Sequence, residues 1–202
     1  MAQRSDDSRW KYLEAFTGAI TRPVVYLLLL AVFAGLFVWM EVPGLPYSAA
    51  DFSTKTNGGS QLDMMIGYSP EKAYELIEGY GADGRTYYVR KLVLNDLVFP
   101  VAYSLLFAGT LALLLKYLTG ADSRLRYLAV LPLAGGALDL AENASIITML
   151  LAYPARMEVI ATATSLVTAV KLGINATAVA LILLGLVVAA YCLVRKRLQP
   201  RV

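Results

Sequence analysis

The sequence predicts an all-α integral membrane protein, a bundle of four transmembrane helices with a small extracytoplasmic loop domain between helices 1 and 2. The chain has 202 residues, of which 58% are hydrophobic, and its mean hydropathy is +0.58. A soluble domain of this length cannot bury so much apolar surface, so lipid must cover the excess. Four apolar stretches have roughly the 20 residues that a helix needs to cross a bilayer, and basic residues flank them asymmetrically.

Residue counts limit the chemistry that is open to the chain. The sequence contains no histidine, which removes the commonest metal ligand and general base. Cys192 is the one cysteine, so a disulfide within the chain and a paired-cysteine redox centre are excluded. Four-helix thiol oxidases and di-iron bundles are therefore excluded, and we expect no metal and no cofactor. The net charge of +3 comes without a long basic run, so it indicates membrane topology rather than nucleic-acid binding.

The N-terminal segment at 1–22 is polar and basic. Trp10, Leu13, Phe16 and Ile20 recur in it at near-helical spacing with charges between them. This pattern predicts a short amphipathic helix on the cytoplasmic membrane surface, and a disordered tail is the alternative.

The first transmembrane helix is predicted at 23–43 and is followed by the extracytoplasmic domain at 44–91. The start of this domain is rich in glycine and asparagine, which is typical of loops. The run 69–81 predicts a helix, because Ser69 is a good N-cap and Pro70 suits the first helical position. We expect its apolar face to pack on the bundle; this face comprises Ala73, Tyr74, Ile77 and Tyr80.

The rest of the chain is predicted to cross the membrane three more times. The expected boundaries are 92–116 for helix 2, 117–126 for a cytoplasmic loop, 127–152 for helix 3, 153–163 for an extracytoplasmic loop, 164–194 for helix 4 and 195–202 for a cytoplasmic tail. Basic residues precede helix 1, separate helices 2 and 3, and follow helix 4. The positive-inside rule therefore predicts a multi-pass protein of the cell (inner) membrane with both termini in the cytoplasm.

Polar residues inside the predicted spans mark the candidate site, because such residues are costly in lipid and usually functional. Asp139 and Glu142 are three residues apart and share one helix face. A rise of about 1.5 Å per residue places Asp139 and Tyr103 both about 20 Å from their cytoplasmic basic anchors, in the outer half of the bilayer. Asp139 and Glu142 are the candidate catalytic residues; the candidate ligand-binding residues are Asp96, Phe99, Tyr103, Asn143, Lys171 and Asn175.

The depths also predict specific contacts. Tyr103 is expected to donate a hydrogen bond to Asp139. Lys171 and Asp96 lie nearest the outer surface and are expected to form an ion pair at the mouth of the site. This pairing leaves Asp139 and Glu142 without a cation. The expected walls of the pocket are Phe99, Tyr103, Phe107, Leu138 and Ile146.

Three functions fit this pattern. The favoured hypothesis is a buried acidic pocket that binds a lipid-like or amphipathic small molecule through a cationic or hydroxyl group. Catalysis by carboxylate acid–base chemistry is part of this hypothesis but is left open. Proton or cation transport through the same carboxylates is an alternative, although the cytoplasmic halves of helices 3 and 4 are apolar.

The third hypothesis is that the protein is a non-catalytic assembly or accessory subunit, in which polar side chains only hold the helices together. Membrane lipids are expected partners, together with a hydrophobic or cationic small molecule. Whether the protein forms a homo-oligomer is left open, as is the role of the 44–91 domain.

Overall fold

The computed structural model describes residues 3–120 and 123–198, and every regular element in these ranges is helical. Their α-helices are α1 Gln3–Ile20, α2 Pro23–Glu41, α3 Phe52–Lys55, α4 Pro70–Gly79, α5 Gly81–Leu94, α6 Phe99–Thr119, α7 Leu131–Ala152 and α8 Glu158–Leu198. Short 3₁₀ helices occupy Leu62–Met64 and Arg124–Val130.

Four helical stretches are long and apolar enough to cross a membrane, which indicates the predicted multi-pass helical protein. They are Pro23–Glu41, Gly81–Thr119, Arg124–Ala152 and Glu158–Leu198. The last contains 41 residues, or about 60 Å of helix, so it must extend beyond a hydrocarbon layer of about 30 Å.

The core of the bundle consists of α6, α7 and α8, which all pack against one another. Gly136 allows α6 and α7 to approach closely, since a Cβ atom at this position would lie 2.7 Å from Ser104 Oγ. By contrast, α2 packs on α6 and has no buried residue. Tyr26 of α2 shares a hydrogen bond of 2.8 Å with Thr110, and the Phe33 ring stacks on Phe99 at 5.6 Å. The first span is therefore peripheral.

The 44–91 segment covers one end of this core, which we call the capped end. Its helix α4 packs on α8, α5 packs on α7, and the turn at Leu62–Met64 contacts both. Ser69 caps α4 as predicted, with its hydroxyl accepting from Lys72 N at 3.2 Å. The predicted apolar face is buried, and it packs with residues of α7 and α8. The largest buried side chains of this core are aromatic; they are Phe52, Tyr74, Tyr80 and Tyr88.

The second span differs from its prediction as one helix at 92–116. Its helix begins at Gly81 as α5 and is interrupted at 95–98 before α6 begins. Pro100, in the first turn of α6, has no N–H to donate to the carbonyl of Asp96. The Asn143 side-chain amide of α7 donates to that carbonyl instead, at 2.8 Å. The interruption is therefore stabilised from the neighbouring helix.

Other boundaries differ less. α7 begins at Leu131 after a 3₁₀ turn, and α8 begins at Glu158, earlier than the predicted 164. The N-terminal segment is helical as α1, in which Leu13 and Ile20 are buried and Phe16 is half-buried. The side chain of Trp10, which belongs to the predicted amphipathic pattern, lies outside the described residues.

Candidate functional site

Charged side chains from α5, α7, α8, the interruption before α6 and the 62–64 turn meet in one buried cluster at the capped end. We call this cluster the acidic network; it comprises Asp63, Lys91, Asp96, Asp139, Glu142 and Lys171. The least accessible side chain is Glu142, with 0% of its surface exposed, and the most accessible is Asp139, with 15%. The sequence therefore identified four of the six members correctly as lying together, and it missed Asp63 and Lys91.

Lys171 of α8 joins the two carboxylates that were predicted to be catalytic. Its Nζ lies 2.5 Å from Glu142 Oε2 and 3.4 Å from Asp139 Oδ1. Thr168, one turn earlier on α8, donates to the other oxygen of Glu142. The predicted ion pair of Lys171 with Asp96 is wrong, because α8 faces α7 at this level rather than the interruption before α6.

Lys91 is the actual partner of Asp96, with Nζ 2.6 Å from Oδ2. In an unbroken α-helix, residues five positions apart point about 140° away from each other. The interruption at 95–98 turns Asp96 back toward Lys91 and makes the pair possible. Lys91 was missed because it stands at the edge of the predicted span, where a basic residue is typical of the membrane interface.

Asp63 connects the two lysines, although it lies in the 44–91 segment. Its Oδ2 is 3.9 Å from Lys91 Nζ, and its backbone carbonyl accepts from Lys171 Nζ at 3.1 Å. The Tyr88 hydroxyl donates to Asp63 Oδ1 and accepts from Leu62 N at 3.0 Å. Polar residues are ordinary in a loop, so no sequence signal marked Asp63.

The predicted hydrogen bond from Tyr103 to Asp139 is confirmed, with a distance of 3.1 Å. Asn175 of α8 donates to the Tyr103 hydroxyl at 2.9 Å, so three helices meet at this phenol. The rings of Phe99 and Phe107 flank Tyr103 with centroids 5.5 and 5.7 Å away, and Phe33 contacts both of them. These rings form an aromatic wall. Ile146, also predicted as a wall residue, belongs instead to the apolar core under the 44–91 segment.

Asn143 is buried at the centre of this arrangement. Its Nδ2 donates to the Asp96 carbonyl, while its Oδ1 accepts no hydrogen bond within the described part of the chain. Asn175 Oδ1 likewise lacks a donor there, and it lies against Gly135, where a Cβ would clash with it. Two buried acceptors are thus left for hydrogen-bond donors beyond those described.

Tyr68 borders the network from the loop before α4. Its backbone N–H donates to Ser165 Oγ at 2.7 Å. Burial, followed by the charge of Glu142, raises the pKa of the Tyr68 phenol well above its usual range. This phenol therefore remains neutral at physiological pH.

The charges of the network do not cancel. Within the described residues it holds four carboxylates and two ammonium groups, a formal excess of two negative charges. Uncompensated buried charge is strongly unfavourable, so protons or a cationic group must balance it. Beyond the network, away from the capped end, residues of α6, α8 and the 3₁₀ helix Arg124–Val130 form an apolar cluster; it comprises Leu111, Ala112, Leu115, Ala129, Leu181 and Ile182.

The arrangement combines a hydrogen-bonded carboxylate, a phenol, a lysine and an aromatic wall in one place. It can bind a cationic or hydroxyl group, and it can pass a proton between its carboxylates. No group of three or more Asp, Glu or Cys side chains among residues 3–120 and 123–198 is placed to hold a metal ion. No protein-family model, curated protein or solved structure matches this chain.

Proposed function

We propose that the acidic network is an intramembrane binding site for an amphipathic small molecule with a cationic or hydrogen-bond-donating head group. The observation that carries this proposal is that four carboxylates and two ammonium groups meet among these buried side chains, a formal excess of two negative charges. Polar residues that only hold helices together have no need of net charge, which costs free energy in lipid. A ligand cation or bound protons supply the missing positive charge.

Asp139 is the expected contact for the head group. It is the most accessible carboxylate of the network, and it lies beside Tyr103 and the aromatic wall. The apolar part of the ligand packs on Phe99 and Phe107, and a cationic head is further favoured by the faces of aromatic rings. Asn143 Oδ1 and Asn175 Oδ1 offer acceptors to the same head group.

Acid–base catalysis at this site forms the second part of the proposal. Asp139 and Glu142 contact the same ammonium group of Lys171, so a change in the charge of one carboxylate alters the proton affinity of the other. Such coupled pairs provide one acid and one base at neutral pH. Proton or cation transport has less support, because the apolar cluster of α6 and α8 separates the network from the uncapped end.

An accessory or assembly role is the second candidate, and one observation favours it. Each of the four carboxylates already contacts a lysine, and Asp63, Asp139 and Glu142 also accept from a hydroxyl. A network with every carboxylate partnered rigidifies a bundle whether or not a ligand binds.

The orientation proposed with this function places the capped end outside the cytoplasm of an inner-membrane protein. Basic residues at the opposite ends of the spans support it. Single cysteines are introduced at Ser60 and Ser123 in a Cys192→Ser background. A membrane-impermeant maleimide should label position 60 in intact cells and should label position 123 only in inside-out vesicles. Labelling of both from the same side would contradict the orientation.

The ligand proposal is tested with three probes that share one chain length, namely dodecylamine, dodecanol and dodecanoic acid. The protein is reconstituted in phosphatidylcholine nanodiscs, and its thermal unfolding midpoint is measured with each probe at pH 7. Dodecylamine is cationic at this pH and should stabilise the protein most, because its ammonium group brings positive charge to the network. A ligand at 100 times its Kd raises the free energy of unfolding by about 2.7 kcal/mol. Dodecanoate should give no stabilisation because it adds negative charge.

Asp139→Asn should abolish the stabilisation by dodecylamine. The control is Glu78→Gln, which removes an exposed carboxylate of α4 outside the network and should behave as wild type. Equal stabilisation of the wild type, Asp139→Asn and Glu78→Gln by the amine would reject the site and leave the accessory role as the better account.

A further inference from the structure

Two cavities involve the first span or the loop that follows it: one lies between the 44–55 loop and α5, and the other lies between α2 and the start of α6. The larger, of about 520 Å³, is polar and is lined at the capped end by residues that include Pro46, Tyr47, Lys55, Asp83 and Arg90. The smaller, of about 230 Å³, is lined by apolar residues of α2, of α6 and of the interruption before α6, among them Val25, Leu28, Val32, Val98, Val101 and Leu105. We call the surface between the two cavities, along α2 from Val32 to Trp39, the seam.

Helix geometry places the two cavities in sequence along the seam. On α2, Val32 lines the apolar cavity, and seven residues later Trp39 donates to the carbonyl of Pro46, which lines the polar one. On the other side, Val98 lines the apolar cavity, and Arg90, which lies in α5 before the 95–98 interruption, lines the polar one. The spacing on α2 corresponds to about 10 Å along the helix. One lipid can span this distance from its head group into an acyl chain.

The polar cavity is placed at the level where α2 leaves the bilayer. The residues that line it begin at Gly44, three positions after α2 ends at Glu41. Trp39, which is half-exposed there, is an amphipathic side chain typical of the lipid–water interface. The cavity therefore opens into the head-group layer, where phosphate groups are abundant.

Lys55 and Arg90 give this cavity the chemistry to bind phosphate. Arg90 is held at the wall by Tyr47, to whose hydroxyl it donates at 2.8 Å and over whose ring it lies at 5.9 Å. One of the two lining carboxylates, Asp51, accepts from Gly44 N at 2.7 Å and thus fixes the loop. The other, Asp83, is exposed at the rim.

Tyr47 itself shows that this wall is constrained. Its φ of 58° lies in the left-handed region, which is uncommon for an aromatic residue. The strained backbone is held by Asn95, whose side chain donates to the Tyr47 carbonyl at 2.7 Å. Conformations of this kind persist where surrounding contacts over-determine them, and they cluster at ligand sites.

We propose that the seam binds one phospholipid, with its phosphate at Lys55 and Arg90 and an acyl chain in the apolar cavity between α2 and α6. This site is separate from the acidic network, and it holds whether or not the network binds an amphipathic amine. The bound lipid fills the space between the peripheral first span and the rest of the bundle.

The test is a lipid titration of the full, delipidated chain followed by native mass spectrometry. The probes are dioleoyl phosphatidylethanolamine and dioleoylglycerol, which share their chains and differ in the phosphate head group. The phospholipid should bind at least about tenfold more tightly than the diacylglycerol, because Lys55 and Arg90 offer the phosphate charged hydrogen-bond donors that a diacylglycerol cannot use in the same way.

Two variants separate the contribution of the head group to lipid affinity from the contribution of the acyl chain. Lys55→Glu should remove the preference for the phospholipid, and Val101→Trp should weaken both lipids by filling the apolar cavity. The controls are Lys72→Glu, an exposed lysine of α4, and Leu184→Trp, an exposed position of α8 away from the seam. Equal affinity of wild type for both probes, or unchanged phospholipid binding by both test variants, would overturn the proposal.

Discussion

Each of the two lysines of the acidic network contacts two buried carboxylates, but the surroundings of the two lysines differ. Lys91 pairs with Asp96 and approaches Asp63, and these residues lie within or beside one interrupted span and its loop. Lys171 pairs with Glu142 and Asp139 across two helices, and Asp139 leads on to Tyr103 of a third. The Lys91 half ties the 44–91 segment to the bundle, whereas the Lys171 half joins the aromatic wall. The first half therefore connects a loop segment to the bundle, and the second half is the one that the proposed ligand site includes.

The largest effect is expected from Lys91→Met. It leaves Asp96 and Asp63 buried without their cation, and breaking a buried pair from one side costs about 3–5 kcal/mol. The measurement is reversible unfolding in mixed SDS micelles, combined with limited proteolysis of the 44–91 segment. The variant should be both less stable and more readily cleaved there. Stability within about 0.5 kcal/mol of wild type, the range of ordinary surface substitutions, would contradict a fold-maintaining role.

A rescue experiment distinguishes the observed pairing from the one expected from the sequence. Lys171→Met should destabilise by a similar amount, about 3–5 kcal/mol, and Glu142→Gln in the same chain should recover part of the loss. Asp96→Asn should not recover it, because Asp96 contacts Lys91. If only Asp96→Asn recovered the lost stability, the result would support the pairing of Lys171 with Asp96 that was expected from the sequence.

A smaller loss is expected from Asn143→Ala. The substitution leaves the Asp96 carbonyl at the helix interruption without its donor, and an unsatisfied buried acceptor costs about 1–3 kcal/mol. Asn143→Asp, which cannot donate there when ionised, should be at least as unfavourable. The matched control is Ser145→Ala on the same helix, where the hydroxyl bonds only to the Ala141 carbonyl within the described residues. If Ser145→Ala lowered the free energy of unfolding by the same amount, the effect of Asn143→Ala would not be specific to the interruption.

The smallest stability effect belongs to Tyr103→Phe in the Lys171 half. Removing this hydroxyl costs about 0.5–1.5 kcal/mol, because the ring and its aromatic neighbours remain and because both hydrogen-bond partners, Asp139 and Asn175, are only partly buried. The same variant should nevertheless weaken the stabilisation by dodecylamine, since Asp139 loses the donor that orients it. Both quantities come from one thermal-unfolding series in nanodiscs. A variant with reduced stability but undiminished amine binding would place the ligand elsewhere.

The features that the sequence determined by itself all lie along single helices. Hydropathy and length located the four spans, and Ser69 with Pro70 located the start of α4. The spacing of Asp139, Glu142 and Asn143 put them on one face, and counting from basic anchors matched the depth of Tyr103 to that of Asp139. Each of these depends on helical periodicity and rise, which are local properties of the chain.

The tertiary structure alone decided which charges meet. Pairing across helices depends on the rotation of each helix about its own axis and on the approach of a loop, neither of which periodicity encodes. Lys171 therefore faces Glu142 rather than Asp96, and Asp63 enters the network from a segment outside the predicted spans. The Lys91–Asp96 pair requires an interruption that Pro100 permits and Asn143, on a different helix, stabilises. Pro100, the local cause, stands in the sequence beside the interruption, but the Asn143 amide that donates to the Asp96 carbonyl is 47 positions away from Asp96 and is brought close only by folding.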